Sequence, residues 1–289
     1  LDNMIFNPLQ LNENRFLVNN PDLDPDENYY SHNDALTSQY VCDYEIVCSA
    51  SDSNDFSVAH VNCRSIANKL QVIEDFTFKS HVDVLAVTET WLTSDSVSTI
   101  CIPGFRFVCK CRDTGLGGGV GLFIKNQYDF TVLPFCTTNG DNTEAILVEI
   151  FCTNNKNIIV GSVYRPPGSN PEIFNATLSS MLGSLKHGKH VFIAGDFNLD
   201  LLKIDMHLAT QKVLDTFLSY QLFPTIRKPT RITEYSATLI DNIYTNCVSQ
   251  CRNSVIVCTD ISDHMPVLVT CKIQIKQADS QRDKLTNLI

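Results

Sequence analysis

Polar side chains that could take part in chemistry stand at the ends of apolar runs in this sequence. Asp196 and Asn198 follow the run HVFIAG, and Asn62 and Glu89 close the runs SVAHVN and VDVLAVTE. Tyr164 closes a further run, NIIVGSVY. Each residue alone has an ordinary structural explanation, as a turn residue, a helix cap or a core side chain. Because the strand ends of a layered sheet gather at one edge, we expect the five together to form a site.

Three more groups of the same kind occur near the end of the chain. Asp241 lies among apolar residues in TLIDNI, and Asp263 and His264 precede the last apolar run in SDHMPVLV. Carboxylates and amides supply oxygen ligands, which suit Mg²⁺ or Mn²⁺, whereas Zn²⁺ would require several His or Cys. Together with an imidazole and a phenol, they predict hydrolysis of a phosphate ester, in which a cation stabilises phosphorus oxygens and an acidic group activates water.

The elements that must position these residues alternate in type. Apolar runs of strand length alternate with segments of helical character, at SIANKLQVIEDFTFKS and at about residues 171–185 and 206–220. This pattern predicts an α/β or α+β body of several packed layers. The glycine run GLGGGVG has neither the dinucleotide fingerprint nor the P-loop spacing, so we expect a turn and a strand start beside a neighbouring backbone.

Charge divides the chain into regions. Residues 1–55 contain 11 acidic residues and one Arg, so this segment accounts for the whole net charge of -10. The segment has no sustained period of 2 or 3.6, which predicts an acidic, disordered leader. Residues 56–276 would form the folded body and residues 277–289 a polar tail. The acidic pI of about 5.1 therefore argues neither for nor against a nucleic-acid substrate.

Cysteine usage and hydropathy limit the class of protein. The twelve cysteines are scattered and form no pair of CxxC knuckles, so a zinc ribbon is not supported. The chain shows no secretory signal and no apolar run long enough for a membrane span. We therefore predict an intracellular protein with reduced, mostly buried thiols and no membrane partner.

The motifs VN, VTETWL, VYRPPG, GDFN, LIDNI and SDHMP resemble those of the endonuclease/exonuclease/phosphatase superfamily. Within it, the sequence is most similar to the apurinic-endonuclease-like domain of jockey-type non-LTR retrotransposons (LINEs). The resemblance covers about residues 57–274. It implies a four-layer αββα sandwich, in which two packed mixed sheets are flanked by helices.

The resemblance also implies roles for the residues named above. Asn62, Glu89 and Asp263 would bind Mg²⁺, for which Mn²⁺ could substitute. Asp196 would orient or deprotonate the attacking water, and Asn198 would help to place that water.

Four further residues have implied roles at the phosphate. Tyr164 would lie near the scissile phosphate, and His264 would contact it. Asp241 would hold the imidazole in orientation. Thr238 stands where the family keeps a small hydroxyl residue and would bind phosphate.

Basic residues close to these motifs predict contacts with DNA. Arg227, Lys228 and Arg231 lie in TIRKPTRIT, shortly before Asp241, and Arg165 follows the tyrosine of VYRPPG. Such residues would bind backbone phosphates without reading sequence. Their alternative interpretation is a solvated loop.

The implied reaction is the Mg²⁺-dependent nicking of one strand of duplex DNA to leave a 3′-hydroxyl. In a retrotransposon this hydroxyl primes reverse transcription, so the implied partners are duplex DNA and a reverse transcriptase domain, and the implied location is the nucleus. Two alternatives remain open at this point. One is a phosphatase or phosphodiesterase of the same fold that acts on inositol phosphates, lipid head groups or RNA. The other is a catalytically silent, DNA-binding remnant.

Overall fold

The computed structural model describes residues 38–42, 55–112, 117–135, 142–153 and 156–275. The chain divides into two units, residues 1–33 and 34–289, and every described residue belongs to the second. Among the described residues, no helix is long and apolar enough to cross a membrane. The predicted tail at residues 277–289 and most of the predicted leader lie outside the described ranges.

Fifteen strands and three α-helices occur in the described part of the chain. In chain order they are β1 (Gln39–Val41), β2 (Phe56–Asn62), α1 (Leu70–Lys79), β3 (Val84–Thr88), β4 (Phe105–Lys110), β5 (Val120–Lys125), β6 (Phe130–Leu133), β7 (Glu144–Ile150), β8 (Ile158–Tyr164), α2 (Pro171–Gly183), β9 (His190–Asp196), α3 (Leu208–Ser219), β10 (Phe223–Pro224), β11 (Arg231–Ile232), β12 (Ala237–Thr238), β13 (Asp241–Thr245), β14 (Cys251–Val257) and β15 (Val267–Cys271).

The strands form two large mixed sheets and one small hairpin. The first sheet has the order β1-β14-β15-β2-β3-β5-β4, and the second has the order β10-β13-β9-β8-β7-β6. In each sheet the central pair is parallel, β2 with β3 and β8 with β9, and these two pairs face each other across the interior. β11 and β12 pair separately as an antiparallel hairpin.

Strand periodicity explains why the first sheet is covered on both faces. Ala59 and Val61 of β2 belong to the same buried cluster as Ile73 and Phe76 of α1, so this helix covers the outer face of the sheet. Successive side chains of a strand point to opposite faces. The alternate residues of β2, which include Asn62, therefore face the second sheet, where Asn62 bonds to a residue of β9.

The second sheet is covered by α2 and α3, which contact each other. Phe217 of α3 stacks on Tyr244 of β13, with ring centroids 3.7 Å apart. α2 begins at a favourable cap, since the Asn170 side chain accepts the backbone N–H groups of Glu172 and Ile173 and Pro171 occupies the first turn. The layers are thus helix, sheet, sheet and helices, which confirms the predicted αββα sandwich.

One part of the predicted leader is structured. The interpretation of residues 1–55 as disordered is wrong for β1, which pairs in parallel with β14 through Gln39 and Val255. Ser38 and Tyr40 bond the segment to two backbone carbonyl groups, those of Thr225 and Pro229. Three residues are too few to produce a detectable alternation in the sequence, and backbone pairing together with the buried Val41 side chain holds this strand.

Candidate active site

Strand register aligns four polar residues along one edge of the second sheet. Asp196, the last residue of β9, pairs with Tyr164, the last residue of β8, and with Asp241, the first residue of β13. Tyr164 pairs in turn with Glu144 at the start of β7. Residues that follow unrelated apolar runs in sequence therefore become neighbours, as the strand-end argument predicts.

The side-chain amide of Asn62 joins this edge to the first sheet. Asn62 ends β2, and Glu89 directly follows β3, the parallel neighbour of β2. The Asn62 Nδ2 group donates to Asp196 Oδ2 at 2.8 Å and to Glu89 Oε1 at 2.9 Å. Two predicted metal ligands and the predicted base thus lie within one hydrogen-bonded group.

Asp196 is a fully buried carboxylate whose bonded partners are uncharged. Its Oδ1 accepts the backbone N–H of Asn198 at 3.0 Å, and the Asn198 amide lies 3.3 Å from Oδ2. Asn198 adopts a positive φ of 48°, which turns its side chain back towards Asp196 and the Arg165 carbonyl. Burial, followed by the negative charge of Asp241, raises the pKa of Asp196 to about 8. This carboxylate is therefore unusually basic.

Asp241 and His264 form a buried pair beside Asp196. His264 Nδ1 lies 3.0 Å from Asp241 Oδ2 and 3.9 Å from Asp196 Oδ2. Burial opposes the charge on the imidazole, but Asp241 outweighs it and raises the pKa of His264 to about 9. Burial likewise opposes the charge on Asp241, yet His264 holds the pKa of that carboxyl below its usual range. The imidazole is therefore cationic at neutral pH.

Two residues that contact this pair escaped the sequence analysis. Thr230 is fully buried, and its hydroxyl donates to Asp241 Oδ2 at 2.6 Å. His60 lies with Nδ1 3.7 Å from Asp241 Oδ1, and burial lowers its pKa to about 4, so it is neutral. His60 precedes Asn62 by two positions on the same strand, so period 2 places both on one face. That signal was present in the sequence, whereas nothing local marks Thr230.

Asp263 lies at the rim and binds arginine. Its Oδ2 accepts from Arg64 at 2.9 Å and from Arg231 at 2.8 Å. Burial opposes ionisation of Asp263, but the two guanidinium groups outweigh it and lower its pKa to about 2. These contacts favour a charge-pairing role over the metal-binding role predicted from sequence. Arg64 itself was missed, because only the fold brings it to Asp263.

The central residues fit a hard divalent cation. Asp196, Asp241 and His264 have ligand atoms within 4.8 Å of one another. Asp241 is already held by His264 and Thr230, so the carboxylates of Asp196 and Glu89 are the neighbouring oxygen donors. Asn62 directs its Nδ2 group and not its oxygen to both carboxylates, so it orients them instead of binding the cation as predicted. Oxygen donors suit Mg²⁺ and Mn²⁺, and a cation here would relieve the buried negative charge that raises the pKa of Asp196.

The predicted surface contact of Arg165 with DNA is contradicted by its position. Arg165 is only 5% exposed, and its guanidinium donates to the backbone carbonyls of Asn198 and Ser169. It therefore holds two loops together beneath the site and cannot reach a phosphate on the surface. Tyr164 is likewise mostly buried, and burial, followed by the charges of Glu89 and Asp196, raises the pKa of its phenol.

The remaining predicted DNA contacts separate into two places. Lys228 is half-buried with its Nζ 5.9 Å from the Tyr40 ring, and Arg227 is half-buried with its backbone N–H bonded to the Ser38 hydroxyl. Arg231 lies at the rim beside Asp263.

Thr238, the predicted phosphate ligand, lies on β12, where its hydroxyl is 3.5 Å from the Arg231 carbonyl. The hydroxyl that contacts Asp241 belongs instead to Thr230, whose backbone N–H bonds to the Thr238 carbonyl.

Comparisons with known proteins agree with this fold. The profile of the Endonuclease/Exonuclease/phosphatase family matches residues 59–264. No curated protein shows significant similarity to the chain.

Three solved structures illustrate the shared fold. The endonuclease domain of TRAS1, a telomere-specific non-LTR retrotransposon, has a TM-score of 0.61 at 16% identity, over 76% of this chain and 99% of that one. An AP endonuclease from Archaeoglobus fulgidus has a TM-score of 0.60 at 14% identity, over 75% and 100%. The 3′ phosphatase NExo from Neisseria, bound to product DNA hairpin, has a TM-score of 0.61 at 15% identity, over 75% and 100%.

Proposed function

The chain belongs to the endonuclease/exonuclease/phosphatase family, and we propose that it is a Mg²⁺-dependent endonuclease that nicks one strand of duplex DNA to leave a 3′-hydroxyl. Family membership supports the coarser statement that it is a hydrolase of phosphate monoesters or phosphodiesters. The observation that carries the proposal is the pairing of a basic, buried Asp196 with a cationic His264 only 3.9 Å away.

In the proposed reaction, Asp196 accepts a proton from the water that attacks phosphorus, the P–O3′ bond breaks, and the leaving 3′ oxygen takes up a proton from solvent. The pKa of about 8 belongs to the metal-free site, and a bound cation would lower it towards neutral pH, where a general base works best. Asn62 and Asn198 hold the carboxylate through amide groups that do not neutralise it. The water would thus meet an oriented proton acceptor that retains its basicity.

His264 is proposed to stabilise charge on the phosphate. Asp241 accepts from Nδ1, which leaves Nε2 to donate to a phosphate oxygen. The phenol of Tyr164, kept protonated by its raised pKa, offers a second donor at the same edge. Donors fixed in place before the reaction are effective because they need no reorganisation as charge develops.

Glu89 and Asp196 are proposed to hold a Mg²⁺ ion through their carboxylate oxygens, with Asn62 orienting both, and Mn²⁺ could substitute for Mg²⁺. When bound, Mg²⁺ would polarise the phosphate and offset the negative charges of the Glu89 and Asp196 carboxylates. All three side chains belong to one hydrogen-bonded group, so cation binding and base positioning are coupled.

Duplex DNA is favoured as substrate by the rim and by sequence. Arg64 and Arg231 are partly exposed beside Asp263, where backbone phosphates could reach them. The segments TETWL and YRPPG resemble motifs of retrotransposon endonucleases, and the TRAS1 structure is that of a retrotransposon endonuclease domain. We therefore propose that the 3′-hydroxyl primes reverse transcription by an associated reverse transcriptase domain, and that the protein acts in the nucleus.

Nicking of supercoiled plasmid tests the proposal. We expect relaxed circles with Mg²⁺ and none with EDTA, and we expect a DNA polymerase to extend the nicks directly from their 3′-hydroxyl ends. Asp196→Asn should nick about 10³-fold more slowly, whereas Asp205→Asn, which changes an exposed aspartate outside the site, should match the wild type. Nicking that survives EDTA or Asp196→Asn would refute the assignment.

A phosphatase is the alternative function, since a 3′ phosphatase shares the fold. Side-by-side assays on plasmid, RNA, inositol phosphates and a 3′-phosphorylated duplex distinguish the candidates, because one scaffold hosts several substrates. Release of phosphate without plasmid nicking would favour the phosphatase. Tight DNA binding without any metal-dependent hydrolysis would favour a silent remnant.

A further inference from the structure

We propose that Trp91 is a positioning residue that sets the carboxylate of Glu89 for cation binding, an inference that rests on the proposed metal site. Trp91 is the only tryptophan in the sequence and follows Glu89 by two residues. Its indole Nε1 donates to Glu89 Oε2 at 3.2 Å. The side chain is 47% exposed, so burial of apolar surface does not explain its position.

The indole is one of two donors that hold the Glu89 carboxylate, one at each oxygen. Asn62 donates to Oε1, and Trp91 donates to Oε2. Both donors are neutral, so they fix the orientation of the carboxylate without cancelling its charge. Asp263 shows the contrast, because the guanidinium groups that bind it would compete with a cation.

The backbone holds Trp91 in an unfavourable conformation. Its φ is 55°, in the left-handed region that a bulky side chain rarely adopts. The backbone N–H of Trp91 donates to the Gly118 carbonyl at 2.8 Å, and that of Thr90 donates to the Gly119 carbonyl at 3.2 Å. Backbone strain of this kind persists only where the surroundings fix it, and it concentrates at functional sites.

Gly117, Gly118 and Gly119 lie against the backbone and side chains of Thr90 and Trp91. A Cβ atom at Gly119, whose φ is 85°, would lie 2.4 Å from Thr90 Oγ1. The position of Gly117 is in van der Waals contact with the indole, since a Cβ atom there would lie 3.4 Å from Trp91 Nε1. These glycines therefore pack closely beside the segment that carries the indole.

Fluorescence of the sole tryptophan gives a direct readout in the absence of DNA. We expect Mg²⁺ to change the emission of the wild-type protein saturably and EDTA to reverse the change, because the acceptor of the indole N–H would then bind a cation. Glu89→Gln should abolish the response. An emission that does not respond to Mg²⁺, or that responds equally in Glu89→Gln, would overturn the inference.

The variant Trp91→Phe keeps an aromatic ring but removes the N–H donor. We expect its Mg²⁺ dissociation constant, measured by calorimetry without DNA, to rise about fivefold, as expected for one neutral hydrogen bond. The rate at saturating Mg²⁺ should stay within about threefold of the wild type. Phe151→Leu changes an exposed aromatic residue at the opposite end of β7 and should leave Mg²⁺ affinity unchanged.

Failure of this inference can be told from failure of the proposed function. Wild-type Mg²⁺ affinity in Trp91→Phe would overturn the positioning role, whatever the substrate proves to be. A protein that binds Mg²⁺ with the expected loss in Trp91→Phe, yet nicks no plasmid, would support the role of Trp91 while refuting the DNA endonuclease.

Discussion

Two aspartates of the site, Asp196 at its centre and Asp263 at its rim, differ in every respect that sets their chemistry. Asp196 is fully buried and held by amides, and burial, with the charge of Asp241, raises its pKa to about 8. Asp263 is partly exposed and held by two arginines, which outweigh burial and lower its pKa to about 2. The first carboxylate can accept a proton, whereas the second serves as a fixed charge. Environment and not residue type therefore assigns their roles.

The largest expected effect is on catalysis. Asp196→Asn should lower the nicking rate by about 10³-fold, because it removes the proton acceptor. Asp263→Asn should lower the nicking rate only about tenfold, because Arg64 and Arg231 would lose the carboxylate that holds them in position. Initial rates on plasmid at saturating Mg²⁺ measure both variants, and equal losses would remove the distinction between centre and rim.

The same pair should change stability in opposite directions. Since the pKa of Asp196 is raised in the folded state, the stability of the metal-free protein falls as pH rises from 3.8 to about 8. Asp196→Asn removes this pH dependence, so its free energy of unfolding relative to the wild type should rise by an amount on the order of 2 kcal/mol between pH 4 and pH 8. Above pH 8 the difference should stay constant.

Asp263 provides the contrast within that experiment. Its lowered pKa contributes stability above pH 3.8 that is lost as pH falls towards about 2, so Asp263→Asn should be less stable than the wild type at pH 8. Urea unfolding in EDTA across this range measures all three proteins. A stability difference between Asp196→Asn and the wild type that does not change from pH 4 to pH 8 would show that the buried carboxylate carries no electrostatic cost.

A smaller effect is expected at Thr230, whose hydroxyl donates to the Asp241 carboxylate of the Asp241–His264 pair. Thr230→Val deletes the donor to Asp241 and should cost roughly 1–3 kcal/mol in the free energy of unfolding. We also expect a loss of about tenfold in nicking rate, since His264 depends on the same carboxylate. Thr238→Val, on the neighbouring strand, is the matched control and should change both quantities little. Larger losses in Thr238→Val than in Thr230→Val would show that Thr238, and not Thr230, is the functional hydroxyl residue.

The smallest effects are expected at the rim arginines. Arg64→Gln and Arg231→Gln should each weaken duplex binding about threefold and lower the slope of log affinity against log salt by about 1, as loss of one phosphate contact requires. Lys79→Gln, on the distant α1 helix, should leave the slope unchanged. Binding assays at several salt concentrations, with EDTA to prevent cleavage, measure this slope. A wild-type slope in Arg64→Gln and Arg231→Gln would show that these arginines do not contact the duplex.

Sequence reasoning found the centre of the site because strand ends carry it. Asn62, Tyr164 and Asp196 each close an apolar run, and register alone then makes them neighbours. Strand periodicity would also have identified His60, because it precedes Asn62 by two positions and therefore lies on the same face of β2. Local pattern and sheet geometry therefore suffice for this part of the fold and site.

The parts that sequence reasoning missed depend on tertiary contacts. Arg165 follows Tyr164 directly, yet the chain turns its guanidinium inward to two carbonyls. Thr230 and Thr238 are both small hydroxyl residues before Asp241, and only the hairpin between them decides which reaches it. Proximity in sequence could not distinguish these outcomes, since each depends on the path of a loop.

Anomalous diffraction from crystals soaked in Mn²⁺ tests the central claim most directly, because it locates the cation relative to both aspartates. We predict one anomalous peak beside Glu89 and Asn62 at the buried end of the site, and its loss in Glu89→Gln. A cation bound by Asp263 among the rim arginines, with none beside Glu89, would contradict the account.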